Sequence, residues 1–434
     1  MNKNLFTILI VTVIGMTLLT AAHITLNGNL FFSTDYLLGN VRSVEDARGI
    51  ETLITHILAE YTNAGFPFCR VYPEIMTHDD MIDTVVLNID EQERIIITDY
   101  LFTIDGKTMP GVARRIAQPV TGEYFSSKVV SRSIRNLQKM DVFSTINEQI
   151  IERTDAYYLL FYLRERTSDN VTAFGSFAED LYDFSINFSS HNLLGTLRRL
   201  YFRYENQKVF ALKFVEPVVF FPVEIAGDFT ITTYDSVRLV TVNGTVTAPL
   251  GDHMNISLTS GMETFTYFGE DSLTANYSHN TLGIGFELHA NIHPLTLSQA
   301  LQCEYLFRDD DRIRLVYNGQ FRIRDLVTSL HYYRVYTDSL EYFDAFRIGG
   351  ARSLRGFREE EFIVTRALWL QMEFKKFFVF PVFDIGLIGE DIKYSYGFGM
   401  EGYTNNVGAM LVIAWPAHSS WQDGKIHIML ETGF

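Results

Sequence analysis

Residues 312–324 read RIRLVYNGQFRIR, and the alternation in this stretch decides the fold. Successive side chains of a strand point to opposite faces. Ile313, Leu315, Tyr317, Phe321 and Ile323 therefore share one face, while Arg312, Arg314, Asn318, Gln320, Arg322 and Arg324 share the other. One side is apolar and the other is dense in guanidinium groups. An arginine facing lipid near the bilayer midplane costs about 2–4 kcal/mol, so in a membrane barrel the arginine side is the lumen. A soluble sandwich also alternates, but its apolar faces meet in a core and its strands are shorter.

The same period of two runs outward from this stretch. In NISLTSGME (255–263), Ile256, Leu258 and Met262 alternate with polar residues, and TLGIGFELHANI (281–292) repeats the pattern. From about residue 170 onward helical periodicity is absent, and about sixteen alternating segments follow one another. Eleven precede the stretch GGARSLRGFREEEF (349–362) and five follow it, the last being GKIHIMLETGF (424–434). A tilted membrane strand needs about 9–11 residues, so sixteen fit if most loops are short. An open edge would leave backbone groups unpaired in hydrocarbon, so the expected sheet is a closed antiparallel barrel.

Residues 23–166 have a different texture. ITLNGNLFF reads as a strand, and Ile50, Leu53, Ile57 and Tyr61 then recur at helical spacing, with Gly65 at a C-cap position. PFCRVYPEI and MIDTVVLNID follow as strands. The order repeats with RIIITDYLFTIDG as a strand and MPGVARRIAQP as a short helix. A serine-capped helix follows in FSSKVVSRSIRNLQKM, with Val130, Ile134 and Leu137 on one face, and INEQIIERT and YYLLFYLRE close the unit as strands. Two tandem α/β modules fit this order, and one larger α+β domain is the alternative.

The chain opens with a basic Lys3, an apolar run from Leu5 to Leu19 and a small-residue exit at Thr20-Ala21-Ala22, the layout of a secretory signal peptide. An uncleaved N-terminal anchor is the other reading. The expected division is thus signal peptide 1–22, modules 23–95 and 96–166, and barrel 167–434. No later run of 18 or more apolar residues offers a spanning helix, although 47% of residues are hydrophobic. Two cysteines far apart, Cys69 and Cys303, make neither a disulfide framework nor a zinc site. The net charge of −16 argues against nucleic acid as a partner. No HExxH, GxSxG or glycine-rich phosphate loop occurs, so no catalytic role, cofactor or metal is expected.

Two motifs within this pattern carry a resemblance. The first is Leu354-Arg355-Gly356-Phe357, preceded by Gly349-Gly350, with five strands after it. The second is Phe383-Asp384-Ile385-Gly386 on the thirteenth strand, with Glu373 on the strand before. With YTNAGFPFCRVYPEI and the early LNGN, the chain resembles the outer-membrane insertase and polypeptide-transporter superfamily, the BamA-type barrels that carry POTRA domains. The resemblance implies two POTRA domains, a sixteen-stranded barrel, and a sixth extracellular loop folded into the lumen.

On that resemblance, Arg355 would reach Asp384, with Glu373, Phe383 and Gly386 as further luminal partners of the loop. A planar guanidinium suits paired contact with a carboxylate. The alternative is an exposed loop whose Arg355 pairs with Glu359 or Glu360, and the run Glu359–Glu361 is expected to be a solvated rim. The terminal Phe434 matches the aromatic with which such barrels end, as an assembly signal. The implied function is assembly of barrel proteins in the outer membrane of a two-membrane bacterium, with the POTRA domains in the periplasm. The implied partners are unfolded outer-membrane or secreted polypeptides and outer-membrane lipid, with accessory periplasmic or lipoprotein subunits as further candidates. A transporter that secretes one partner polypeptide through its lumen is the competing reading, and it typically carries a plug helix and a linker ahead of the first domain. Here the chain is expected to enter its first POTRA strand almost at once.

Overall fold

The computed structural model describes residues 22–433 except 40, 42, 45–46, 79–80, 179–180, 207, 235–236, 269–272, 308–310, 339–342 and 405–406. Residues 1–21 of the signal segment and the terminal Phe434 lie outside the described residues. The chain forms two compact units, one reaching to Gly106 and including Pro110–Arg164, the other made of Lys107–Met109 and the chain from Glu165 onward.

The first unit holds two small sheets of one topology. β1 (Ala22–Asn27), α1 (Thr34–Leu38), β2 (Ser43–Val44), α2 (Ala47–Asn63), β3 (Arg70–His78) and β4 (Met81–Asp90) form a sheet of order β2-β1-β4-β3. β1 and β4 are parallel, which requires a crossover, and the helices supply it. Ile50, Leu53, Ile57 and Tyr61 are the buried stripe of α2, packed on Ile24, Val85 and Leu87 of the sheet. β1 is shorter than ITLNGNLFF suggests. Gly28 follows it with φ of +84°, and a Cβ there would sit 2.2 Å from the Ile89 carbonyl oxygen, so only glycine turns the chain at this point.

β5 (Ile96–Asp105), α3 (Pro110–Ala117), β6 (Glu123–Tyr124), α4 (Ser127–Lys139), β7 (Phe143–Arg153) and β8 (Ala156–Glu165) repeat the arrangement as β6-β5-β8-β7. The start of α4 differs from expectation, because the Ser126 side chain does not cap it. Asn63, at the end of α2, accepts from the Lys128 backbone N–H at 3.0 Å and from the Ser127 hydroxyl at 2.8 Å. Arg94 adds a second tie, donating to the Ala64 carbonyl at 2.7 Å with its guanidinium 3.4 Å from the Tyr124 ring. The junction of the two modules thus combines polar bonds with cation–π and aromatic contacts, among them Arg94 over Tyr124 and Phe68 against Tyr157.

The second unit is a closed barrel of sixteen strands, each paired with the next. Eleven come before the long loop: β9 (Asp169–Ala178), β10 (Leu181–Ser190), β11 (Arg199–Glu205), β12 (Val209–Glu216), β13 (Glu224–Tyr234), β14 (Val237–Leu250), β15 (Met254–Phe268), β16 (Leu273–Ile292), β17 (Leu295–Phe307), β18 (Arg312–Ile323) and β19 (Leu326–Tyr336). The loop carries a short hairpin, β20 (Phe346–Ile348) and β21 (Phe362–Val364). Five strands follow: β22 (Arg366–Phe374), β23 (Val379–Ile388), β24 (Asp391–Thr404), β25 (Val407–Pro416) and β26 (Lys425–Gly433). β26 pairs antiparallel with β9, from Ile426↔Phe177 to Gly433↔Asn170, and this seam closes the barrel.

The faces divide as the alternation of residues 312–324 requires. Arg312 is fully buried, whereas its neighbour Ile313 and Ile323 at the far end of the strand face outward. Leu258, Leu282, Ile284, Phe286, Leu301 and Leu368 carry the same outward apolar face around the wall. The polar faces line a luminal cavity of about 580 Å³, among whose walls are Lys213, Asp228, Asn243, Thr259 and Glu287.

Candidate functional site

Between the hairpin strands β20 and β21, residues 349–361 fold against the inner wall. Gly350 N–H donates to the Leu354 carbonyl at 3.1 Å, while the Ser353 hydroxyl accepts from Gly349 N–H at 2.7 Å and donates to the Gly349 carbonyl at 2.9 Å. This small ring has Arg352 near its apex and delivers the chain to Arg355. Leu354, Phe357 and Ile348 pack with Ala367, Trp369 and Ile388 as an apolar cluster, so the loop is seated by burial as well as by charge.

Arg355 is 3% exposed and Asp384 is 1% exposed. Arg355 Nε donates to Asp384 Oδ2 at 3.0 Å, its Nη2 to Oδ1 at 2.5 Å, and its backbone N–H to Oδ2 at 2.8 Å. The remaining Nη1 reaches Glu373 on the adjacent strand. A fork of planar donors against two carboxylates fixes direction as well as attraction. The charges continue in sequence, since Lys375 Nζ lies 3.2 Å from Glu373 and 2.7 Å from Glu401. Such a cluster is worth little as gross stability. Removing one member is expensive, because an unpaired charge is then left buried.

Each glycine of the motif has a steric reason. Gly349 and Gly350 both have positive φ, and Gly356 has φ of +87° with its backbone against Ser395, Trp415 and Pro416. A Cβ on Gly356 would meet the Ser395 Cβ at 2.9 Å. Gly386 works differently, since a Cβ there would meet the Trp369 Cβ at 2.8 Å, so its bareness leaves room for the indole under the loop.

Two expectations are corrected. Phe383 does not face the loop: it is one residue from Asp384, and strand alternation turns it to the outer face, opposite Met372 and Tyr396 in register. The acidic run is not simply a solvated rim, and Arg355 does not pair with it. Glu359 accepts from the Ala351 N–H at 3.2 Å, Glu360 lies 3.6 Å from Lys208 and 3.8 Å from Arg347, and Glu361 accepts from the Arg358 N–H at 2.7 Å. Glu359 and Glu360 tie the loop to itself and to the barrel wall.

The sequence reading missed a second ionic cluster at the loop's other end. Arg312 binds Asp344 of the loop at 2.9 Å, Glu263 at 3.0 Å and Glu304 at 3.1 Å. Beside it, Phe343 stacks on Phe265 with ring centroids 3.7 Å apart. The alternation placed Arg312 in the lumen, but its partners Asp344 and Glu263 lie 32 and 49 residues away and no local signal names them.

No family profile matches the chain. By sequence it is 24% identical over 182 residues to the outer membrane protein assembly factor BamA of Buchnera aphidicola, a match spanning 39% of this chain and 29% of that protein. The chain therefore matches under a third of the length of that relative. In three dimensions it overlays on BamA from Haemophilus ducreyi lacking POTRA domains 1–3, with a TM-score of 0.63, 12% identity, and coverage of 96% of this chain and 100% of the other. It also overlays on CdiB from Escherichia coli (TM-score 0.59, 10% identity, 96% and 91% covered) and on CdiB from Acinetobacter baumannii (TM-score 0.57, 13% identity, 96% and 90% covered). These overlays establish the fold, and the sequence match lies within the same group. Two small α/β modules ahead of a closed sixteen-stranded barrel are thus the fold this chain shares with these structures, and in sequence and fold it is similar to the insertase and polypeptide-transporter superfamily that carries POTRA domains.

Proposed function

We propose that this protein is an outer-membrane assembly factor, one that receives unfolded polypeptides through periplasmic POTRA domains and promotes their insertion as β-barrels. It does so without covalent chemistry. The long edge strands β3 and β7 of the two modules offer unpaired backbone to which an incoming extended chain can add as a further strand. Such pairing draws its affinity from main-chain hydrogen bonds and so makes little demand on client sequence. The seam between β9 and β26 is the place where the barrel opens sideways and where a nascent strand is templated.

The observation that carries this reading is the loop. Arg355, held by Asp384 and Glu373, keeps residues 349–361 inside the barrel as a strut, so the lumen is furnished with a fixed element rather than left as a clear conduit. Lateral release is the route that such a lumen favours. The likeness to the CdiB structures supports a second reading, in which the barrel passes one polypeptide through its lumen.

Depleting the protein in its host and quantifying the outer-membrane proteome separates the two. The assembly reading expects a fall across many barrel proteins. Loss of a single secreted polypeptide, with the barrels intact, would favour the transporter.

A further inference from the structure

The loop carries a second arginine that the strut does not use. Arg352 lies three residues before Arg355, at the apex of the ring closed by Gly350 and Leu354, and is bound to a different part of the wall. Its Nη2 donates to the Ser185 hydroxyl, its Nη1 lies 3.4 Å from Glu205, and its guanidinium carbon is 4.6 Å from the Phe174 ring centroid. Ser185 and Glu205 are both buried, and Glu205 also binds Arg203.

These three contacts share one row. Phe174 of β9 is in register with Ser185 of β10, and Ser185 is in register with Glu205 of β11. The same row continues across the seam, because Phe174 is also in register with Met429 of β26. On the opposite bank, Gly356 rests against Ser395 of β24 and against Trp415 and Pro416 of β25. The loop thus touches strands on both sides of the closure, and Arg352 makes its three contacts on the β9 side.

We propose that Arg352 is a positioning residue of the seam. It holds the Phe174–Ser185–Glu205 row against a loop that Arg355 has already fixed to β22 and β23, and so keeps β9 in register with β26. Releasing Arg352 lets the first strands move away from the loop, and the first backbone bonds lost are those of the seam. This rests on the reading that the seam is where the barrel opens. The contacts are a guanidinium stacked on an aromatic ring and bonded to a carboxylate and a hydroxyl, and lysine reproduces only the charge.

Amide hydrogen exchange on the full chain in lipid nanodiscs tests the proposal, because exchange of paired strands reports their opening. In R352A, amides of residues 170–177 and 426–433 are expected to exchange roughly tenfold faster, the lower end of what a charged hydrogen bond supports. Residues 254–268 on the opposite wall should keep their rates, and R352K should recover part of the protection. Unchanged seam exchange overturns the proposal. An equal rise on both walls also overturns it, since that is general loosening. If R352A does not fold, E205Q carries the same test, with faster seam exchange expected and unchanged exchange contradicting. The readout involves no client protein. A negative result removes Arg352 from the seam and leaves the assembly reading standing, whereas failure of that reading in the depletion experiment leaves this result untouched.

Discussion

The wall opposite the seam and the seam itself are built to different specifications. Among the described residues, β15 is in register with β14 over 14 residue pairs and with β16 over 15, whereas β26 and β9 share 8. The strands next to the seam are also short, with 6 pairs between β10 and β11 and 8 between β25 and β26. Ladder hydrogen bonds scale with paired length, so the seam holds about half the backbone bonding of the far wall. Its short register is shared with its neighbours and is not a local flaw. What distinguishes the seam side is the part of the loop that braces it, since Phe343 and Asp344 at the loop's start reach β15 and β18 instead. The far wall has long ladders of its own, while β9–β11 and β24–β25 are both braced by residues 349–361. On the proposed assembly reading, the strand pair that parts is held by side chains that can let go.

The sharpest way to break this contrast is to remove the strut. Arg355→Ala or Asp384→Ala leaves a buried charge without its partner, which should cost about 3–5 kcal/mol. The loss would be read as a fall in the temperature at which the barrel unfolds in a heat-modifiability gel. The double mutant should lose much less than the sum of the two, and purely additive losses would mean that the pair does not act as one unit. A smaller effect is expected from Gly356→Ala. A non-glycine residue forced to positive φ, with its Cβ against Ser395, should cost about 1–3 kcal/mol, and the same gel measures it. The smallest effect tests whether surface charge matters. Lys393 lies 3.2 Å from an Asp391 that is 73% exposed, and removing it should change stability by at most about 0.5 kcal/mol. A loss as large as that of the strut would mean that the braces are not specific to the loop.

Much of this architecture was legible in the chain. The alternation in RIRLVYNGQFRIR separates lumen from lipid because a strand has only two faces, and a misplaced arginine is costly on one of them. Counting such segments placed eleven strands before the loop and five after it, as the structure has them. Helical spacing found the buried stripe of α2. Alternation, however, reports a face and not a partner. It put Arg312 inside without naming Asp344 or Glu263. It also argues against Phe383 as a luminal residue, because the neighbour of a luminal Asp384 on a strand faces outward. Nor does any local pattern mark Arg352, whose contacts form a row across three strands far from it in sequence. The start of α4 shows the same limit: Ser126 stands at the cap position, but Asn63 of the neighbouring module accepts the backbone bond. Local rules see the candidate in the chain, and only packing shows the competitor.

Locking the seam tests the central claim most directly. With Cys69 and Cys303 replaced by alanine, the pair Ala173→Cys and Leu430→Cys places two thiols in register across the closure, and Val246→Cys with Leu258→Cys places two on the far wall. Each protein would be reconstituted in proteoliposomes and supplied with an unfolded barrel polypeptide from the same host, before and after reduction. The account predicts that the oxidised seam halts assembly, that reduction restores it, and that the far-wall disulfide has no effect. Assembly at full rate through an oxidised seam would contradict it.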